Sequence, residues 1–249
     1  MHLKQWLGSN NRKENYALVF VGGKSERMGG NQKTIKEIKG KPILYWNLKT
    51  WSKDIGNMVF ITGHQHEETR ETIVKVCKEL DINPMIAQND WMGDGLGGAL
   101  RSAEAVMPDR FMLILGDCIC RGLFSLPDAK NCLFVDAMEV NPEKIKTSYA
   151  VLEKDNQITR VIEKPTLQLM NQNMGMGYYL LDKNIFKKIP ATARNTRTGK
   201  IELTDILQTA ISMREDFKAA NFYGDYVNVN TPDDFKRAEE IIGEHDGKV

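Results

Sequence analysis

Apolar and polar positions along the chain follow two periods, and the periods alternate. Tyr16-Ala-Leu-Val-Phe-Val21 is an unbroken apolar run closed by Gly22-Gly23. Such a run predicts a strand buried on both faces. A glycine-rich loop follows, through Gly30. Pro42 then opens a stretch with apolar residues at Ile43, Leu44, Trp46, Leu48 and Trp51, which predicts a helix with proline in its first turn. The alternation continues with a strand over Asn57–Thr62, a helix over Glu67–Leu80, a short strand over Pro84–Ala87, a helix over Gly95–Met107 and a buried strand over Phe111–Leu115. Four strands separated by three helices predict an α/β fold, with a mostly parallel central sheet flanked by helices. In such sheets ligands sit at the carboxyl ends of the strands.

After residue 120 the pattern changes. Strands are predicted over Leu133–Val140, Ser148–Glu153, Ile158–Glu163 and Met176–Leu181, with a turn at Asp155-Asn156. Helices are predicted over Thr204–Met213 and Pro232–Ile242, the second with Thr231 as its N-cap. The second half thus reads as α+β. No internal repeat and no Pro/Gly/Ser-rich linker interrupts the chain. Residues 1–14 read as a polar N-terminal arm or a short helix before the domain. Residues 15–249 read as a single domain, with one half over 15–120 and another over 121–249. By composition 1–14 and 191–200 look mobile, the latter as a lid.

Composition narrows the function classes. The 249 residues fit one large domain. Lys plus Arg is 34 and Asp plus Glu is 33, a net charge of +1, so neither nucleic acid nor an anionic membrane is expected as a partner. No apolar run approaches the roughly 18 residues of a membrane span. The first residues lack the apolar stretch of a signal peptide, and a cytoplasmic location is the expectation. Cys118 and Cys120 are spaced C-x-C, unlike the paired C-x-x-C of a zinc site. With Cys77 and Cys132 they read as reduced, buried thiols.

Five segments carry candidate chemistry. The loop Gly22-Gly23-Lys24-Ser25-Glu26-Arg27-Met28-Gly29, followed by Lys33, places backbone N–H groups and cations straight after a strand, where they bind phosphate. It is neither a Walker A loop nor a G-x-G-x-x-G fingerprint; the plain alternative is a charged, solvated turn. Gly116-Asp117 puts a carboxylate at a strand end, where it holds Mg²⁺ on a phosphate or simply caps a turn. Gln88 precedes Gly95-Leu-Gly-Gly-Ala-Leu100, in which Gly95 and Gly98 let a flat ring lie against a helix start or merely pack the helix on the sheet. Glu163-Lys164-Pro165 offers a hydroxyl acceptor beside a cation, or a surface ion pair. In Tyr226-Val-Asn-Val-Asn-Thr-Pro-Asp-Asp234, Asn228 and Asn230 share one strand face. Either can ligate a cation or satisfy loop backbone.

In order and spacing these segments resemble the sugar-phosphate nucleotidyltransferase family, over roughly residues 15–245. The likeness extends to Gly40-Lys41-Pro42-Ile43-Leu44, Gly177-Tyr-Tyr-Leu-Leu181 and Glu202-Leu-Thr-Asp205. It implies a GT-A-like Rossmann fold, that is, a Rossmann-like mostly parallel central sheet flanked by helices with an α+β sugar-binding second half. It also implies transfer from an NTP to a sugar 1-phosphate, with Mg²⁺ as cofactor, release of pyrophosphate and a possible homo-oligomer. Carried over residue by residue, Arg27, Lys33 and Asp117 are the catalytic residues. Val21, Gly22, Gly23, Lys24, Ser25, Gln88, Gly95 and Gly98 bind the nucleotide. Tyr149, Glu163, Lys164 and Gly177 bind the acceptor, and Asp117 with Asn228 holds the metal. The chain departs from the family pattern in having Asn228 where Asp is common, Leu96 where Thr is common, and a first loop closer to molybdopterin guanylyltransferases and cytidylyltransferases. A phospho-alcohol or molybdopterin-like acceptor is therefore the rival reading. A metal-dependent glycosyltransferase lacks support, because Asp117-Cys-Ile is not D-x-D. A nucleotide-sensing subunit without turnover has only Asn228 in its favour.

Overall fold

The computed structural model describes residues 2–23, 32–89, 94–139, 142–145, 148–155, 157–165 and 173–243. In chain order the first half holds α1 (Leu3–Leu7), β1 (Tyr16–Phe20), a small ribbon of β2 (Glu37–Ile38) and β3 (Lys41–Pro42), α2 (Ile43–Trp51), β4 (Asn57–Thr62), α3 (His66–Glu79), β5 (Asn83–Gln88), α4 (Gly95–Ser102) and β6 (Arg110–Leu115). The second half adds β7 (Cys118–Ser125), β8 (Asn131–Asp136), α5 (Pro142–Ile145), β9 (Tyr149–Lys154), β10 (Gln157–Glu163), β11 (Asn173–Asp182), α6 (Leu203–Ser212), β12 (Phe217–Asn228) and α7 (Pro232–Gly243).

The main sheet runs β5-β4-β1-β6-β11-β8-β12-β7. Its first four strands are parallel. β11 is antiparallel to both β6 and β8, β12 is parallel to β8, and β7 closes the edge antiparallel to β12. The β9–β10 hairpin joins through β9 to the start of β11. Alternation along β1 divides the core. Ala17 and Val19 point into one apolar layer with Trp6, Leu48, Trp51 and Phe134. Leu18 and Phe20 point into the other with Leu100, Phe111 and Leu207. Because both faces are covered, β1 and β4 read as continuous apolar runs. The chain steps outward from β1 to β4 and β5, then returns to β6 on the opposite side of β1. That reversal opens a crevice at the carboxyl ends of β1 and β6.

Three expectations are corrected. Residues 3–7 form the short helix that the sequence allowed, but it is not mobile: α1 is packed into the core, and Trp6 is fully buried with its Nε1 donating to the Ala129 carbonyl at 2.9 Å. The strand expected over 133–140 stops at Asp136, whose Oδ1 accepts the backbone N–H groups of Met138 and Glu139 at 3.0 and 3.1 Å and turns the chain. The helix expected to reach Met107 ends at Ser102, whose hydroxyl bonds back to the Gly98 carbonyl at 3.0 Å. β7 went unseen in the sequence because Gly122 and three exposed positions break its apolar run. The four cysteines are buried and unpaired, as expected, and burial pushes the thiols of Cys77, Cys120 and Cys132 up to about 12. Among the described residues no helix is long and apolar enough to cross a membrane.

The packing of Trp6 gives a direct check. Trp6→Ala removes a large buried ring and leaves the Ala129 carbonyl without its donor. The loss expected is about 3–5 kcal/mol, the scale for a buried aromatic. A urea midpoint that drops accordingly with unchanged slope supports the packing; an unchanged midpoint contradicts it.

Candidate active site

The site is built where β1 and β6 end. Val21 is held by its N–H to the Ile61 carbonyl at 3.0 Å. Gly22 lies against Gly63 so closely that a Cβ on Gly22 would sit 3.0 Å from the Gly63 nitrogen, and one on Gly63 would sit 2.7 Å from the Gly22 oxygen. Only glycines allow this contact, and it fixes the backbone where the glycine-rich segment begins. Gln32 fixes the other end. Its buried side chain donates through Nε2 to the Val21 carbonyl at 2.6 Å, and its backbone N–H donates to Gln65 Oε1 at 2.5 Å. Lys24, Ser25 and Arg27 lie outside the described residues.

Lys33 opens a 3-10 turn over Lys33–Ile35. Its ammonium ion-pairs with the Asp117 carboxylate and donates to Asn230 Oδ1 at 2.7 Å. Both side chains of the ion pair are largely shielded, 12% and 17% exposed. Asp117 follows Gly116, whose N–H donates to the Phe20 carbonyl at 2.9 Å, so β6 delivers the carboxylate beside the end of β1. β12 delivers Asn228 at its end, and Asn230 follows two residues beyond it. Asn228 faces Cys118 across the β7–β12 pair, and the Val229 N–H donates to the Asp117 carbonyl at 2.9 Å. Three chain segments far apart in sequence thus meet at one point.

A metal fits this arrangement in part. Among the described residues no three His, Cys, Asp or Glu side chains converge. Asn228 Oδ1, however, is buried and has no hydrogen-bond partner among the described residues. A buried carbonyl oxygen without a donor is costly unless something positive meets it. One carboxylate and one amide oxygen form a hard donor set, which suits Mg²⁺ when substrate phosphates complete the shell.

The same Asn228 lines a cavity of about 120 Å³ together with Tyr149, Glu163, Gly177, Thr204 and Tyr226. Glu163, at the end of β10, accepts the Thr204 hydroxyl at 3.1 Å through Oε2. Burial holds its carboxyl above the usual range, against the Thr204 hydrogen bond and the nearby Lys164 charge. Gly177 donates its N–H to the Tyr226 hydroxyl at 3.0 Å, and a Cβ there would lie 2.4 Å from Cys118 Sγ. Tyr149 stacks on Tyr179 with ring centroids 6.1 Å apart and donates its hydroxyl to the Met176 carbonyl at 3.1 Å. Lys164 stands at the rim. It is exposed, its φ of 44° is left-handed, and its N–H donates to the Ser148 carbonyl at 2.8 Å. Its side chain is not among those lining the cavity.

The start of α4 is closely packed. Gln88 is exposed at the end of β5, opposite Thr62. Gly95 has a φ of +64°, and a Cβ on it would lie 3.0 Å from the Ile201 carbonyl oxygen. That same oxygen accepts the Gly97 N–H at 2.9 Å. Arg194 pairs with Asp94 at 2.5 Å. Residues 194–201 are therefore docked on the start of α4, where the sequence suggested a mobile lid. Gly98 is buried within α4. Sequence reasoning overlooked Gln32 and Gln65. Their only sequence signal was position: one follows the loop and the other follows β4.

Comparison with known proteins gives the family and the fold. The sequence pattern of the family described as Nucleotidyl transferase matches residues 16–244. The bifunctional protein GlmU of Methanocaldococcus jannaschii is 29% identical over 231 residues, 91% of this chain. The chain spans only 54% of that relative's length. The 2-C-methyl-D-erythritol 4-phosphate cytidylyltransferase of Clostridium perfringens is 24% identical, over 91% of this chain and 97% of its own. The structure of UDP-glucose pyrophosphorylase complexed with UDP-glucose shares the fold, with a TM-score of 0.75 at 18% identity, covering 92% of this chain and 98% of that one. With a family match that runs from the first residue of β1 to just beyond α7, the chain belongs to the nucleotidyl transferase family.

Proposed function

We propose that the chain transfers a nucleotidyl group from an NTP to a sugar 1-phosphate. A phosphate oxygen of the acceptor attacks the α-phosphorus in line. The bond from that phosphorus to the bridging oxygen breaks, and pyrophosphate leaves with the electron pair. The attacking oxygen is already an anion at neutral pH, so the chain needs no general base. The observation that carries this reading is the shared cavity. Asn228, beside Asp117, and Glu163, a hydroxyl acceptor, line one space of about 120 Å³.

The residues divide accordingly. The half over 15–120 takes the NTP, with Val21, Gly22, Gly23, Lys24, Ser25 and Arg27 at the phosphates and Gln88 at the base. Lys33 neutralises charge at the α-phosphate. Asp117 and Asn228 hold Mg²⁺, which lowers the charge on the reacting phosphate oxygens when bound. The half over 121–249 takes the acceptor, with Glu163 on its hydroxyls, Lys164 on its phosphate, and Tyr149 and Gly177 shaping the wall. Catalysis is then positioning plus charge neutralisation. A second reading, cytidylyl transfer to a phospho-alcohol, draws on the cytidylyltransferase relative, which this chain matches over nearly its whole length.

The deciding assay is pyrophosphate release with Mg²⁺, scanning the four NTPs against sugar 1-phosphates and phospho-alcohols. Turnover with a sugar 1-phosphate is the expected result; turnover confined to a phospho-alcohol selects the second reading. Lys33→Ala is expected to lower kcat/KM by about 10²–10³, and near-normal turnover would remove Lys33 from the mechanism. Asn228→Ala should raise the Mg²⁺ concentration for half-maximal rate by about tenfold or more, whereas Asn228→Asp should lower it. Glu163 gives a pH signature. Its pKa is raised by burial, so its ionised form, and the acceptor grip it provides, is lost as pH falls through a range above the ordinary value of about 4.3. In Glu163→Gln that limb of the acceptor KM profile should vanish, leaving only the acceptor phosphate's own ionisation near pH ~6.

A further inference from the structure

β12 ends at Asn228, and Asn230 stands two residues beyond it, off the strand where the sequence placed both on one strand face. The structure gives them different partners. Asn228 Oδ1 is buried without a donor among the described residues. Asn230 Oδ1 accepts the Lys33 ammonium at 2.7 Å. Asn230 is also set in place independently of the lysine. Its Nδ2 donates to the Asn228 carbonyl at a long 3.4 Å, which agrees with Oδ1 facing Lys33. Its N–H donates to Asp234 Oδ2 at 3.0 Å. The same Asp234 oxygen takes the N–H and hydroxyl of Thr231 at 2.8 and 2.9 Å. The first turn of α7 therefore clamps Asn230 before any ligand arrives.

We propose that Asn230 is a positioning residue for Lys33: it shares the ammonium with the Asp117 carboxylate and keeps it within reach of the NTP phosphates. This rests on the nucleotidyl-transfer reading above. The physical argument concerns the competing partner. A largely shielded ion pair is strong enough to hold a lysine against its carboxylate. An ammonium bound only to Asp117 would have to break that pair entirely to serve a phosphate. A neutral amide oxygen fixes one N–H in direction without adding a second charge to leave behind. The exchange of Asp117 for a phosphate oxygen then starts from an ammonium already oriented by Asn230. An aspartate at 230 would do the opposite, by adding a second carboxylate to the lysine.

The test is a double-mutant cycle on the full chain, read by NTP binding in calorimetry with and without Mg²⁺ and by steady-state kinetics. Asn230→Ala is expected to weaken NTP binding by about three- to tenfold, the scale of one charge-assisted hydrogen bond. It should leave the acceptor KM and the melting temperature near wild type. Asn230→Asp should weaken NTP binding at least as much without loss of thermal stability, which a merely structural role would not produce. In a Lys33→Ala background Asn230→Ala should change NTP affinity no further. Equal effects with and without Lys33, or an Asn230→Ala protein that binds NTP like wild type, would overturn the proposal. If Asn230→Ala does not fold, the same cycle with Asn230→Asp decides. Wild-type protein that binds no NTP overturns the nucleotidyl-transfer reading together with this inference. Wild-type protein that binds and turns over while the cycle shows no coupling overturns the inference alone.

Discussion

The parallel contact between β1 and β6 governs where chemistry can occur in this chain. β1 is paired on both sides and covered on both faces, so its only accessible polar groups are at its ends. At the carboxyl end two glycine contacts bring the backbone together. Gly22 meets Gly63, and Gly116 bonds to Phe20. A Cβ at Gly116 would lie 2.6 Å from Val21 Cγ1. The approach that places Asp117 beside the end of β1 is therefore available to a glycine and closed to larger residues. The antiparallel strands β7 and β12 then reach the same edge from the other half of the sheet and add Asn228, with Asn230 just beyond β12.

Charge at that edge is balanced within the protein. Lys33 and Asp117 are both largely shielded from water, and an isolated ion there would pay a desolvation cost. Each supplies the other's counter-charge. On the proposed reading, ligand binding would be an exchange of partners, with phosphate oxygens taking the lysine and Mg²⁺ taking Asp117. Such an exchange would keep the site neutralised and would demand no proton transfer from the chain. The histidines fit that picture. His66 is tied through Nδ1 to the Thr62 hydroxyl at 2.5 Å, and it lies outside the cavity lining.

How much of this was legible in the sequence depended on the range of the interaction. The apolar runs of β1, β4 and β6 and the helical period of α2 are local patterns, and each element formed where its pattern stood. Asp117, Asn228 and Glu163 were legible because each sits at the end of a strand. What the sequence concealed was every contact that spans the chain. Trp6 bonds to Ala129, Lys33 bonds to Asn230, and Gly97 bonds to Ile201. None has a local signature, since each depends on where the sheet order places two distant segments. Gly95 and Gly98 were read as space for a ring or as helix packing; Gly95 and Gly97 make room for residues 200–201. Sequence shows that a glycine removes a side chain, but the neighbour that uses the space is a tertiary fact.

The acceptor cavity carries this reasoning one step further. Its wall is shaped by two glycines on β11. At Gly175 a Cβ would fall 2.0 Å from the Tyr149 ring, and at Gly177 it would fall 2.4 Å from Cys118 Sγ. Between Gly175 and Tyr179 the register with β8 shifts, so β11 bends at the cavity. The wall is not confined to that strand: β9, β10 and β11 are joined in it by Leu115 of β6, Tyr226 and Asn228 of β12 and the start of α6. Lys33 and Asp117 are not among the lining residues. Asn228 links the two, since it lines the cavity and its neighbour Val229 donates to the Asp117 carbonyl. On the proposed reading, substitutions on β9–β11 would change acceptor fit before they changed the charge at Lys33 and Asp117. By the same logic, a substitution at Asn228 is expected to alter metal dependence and acceptor fit together.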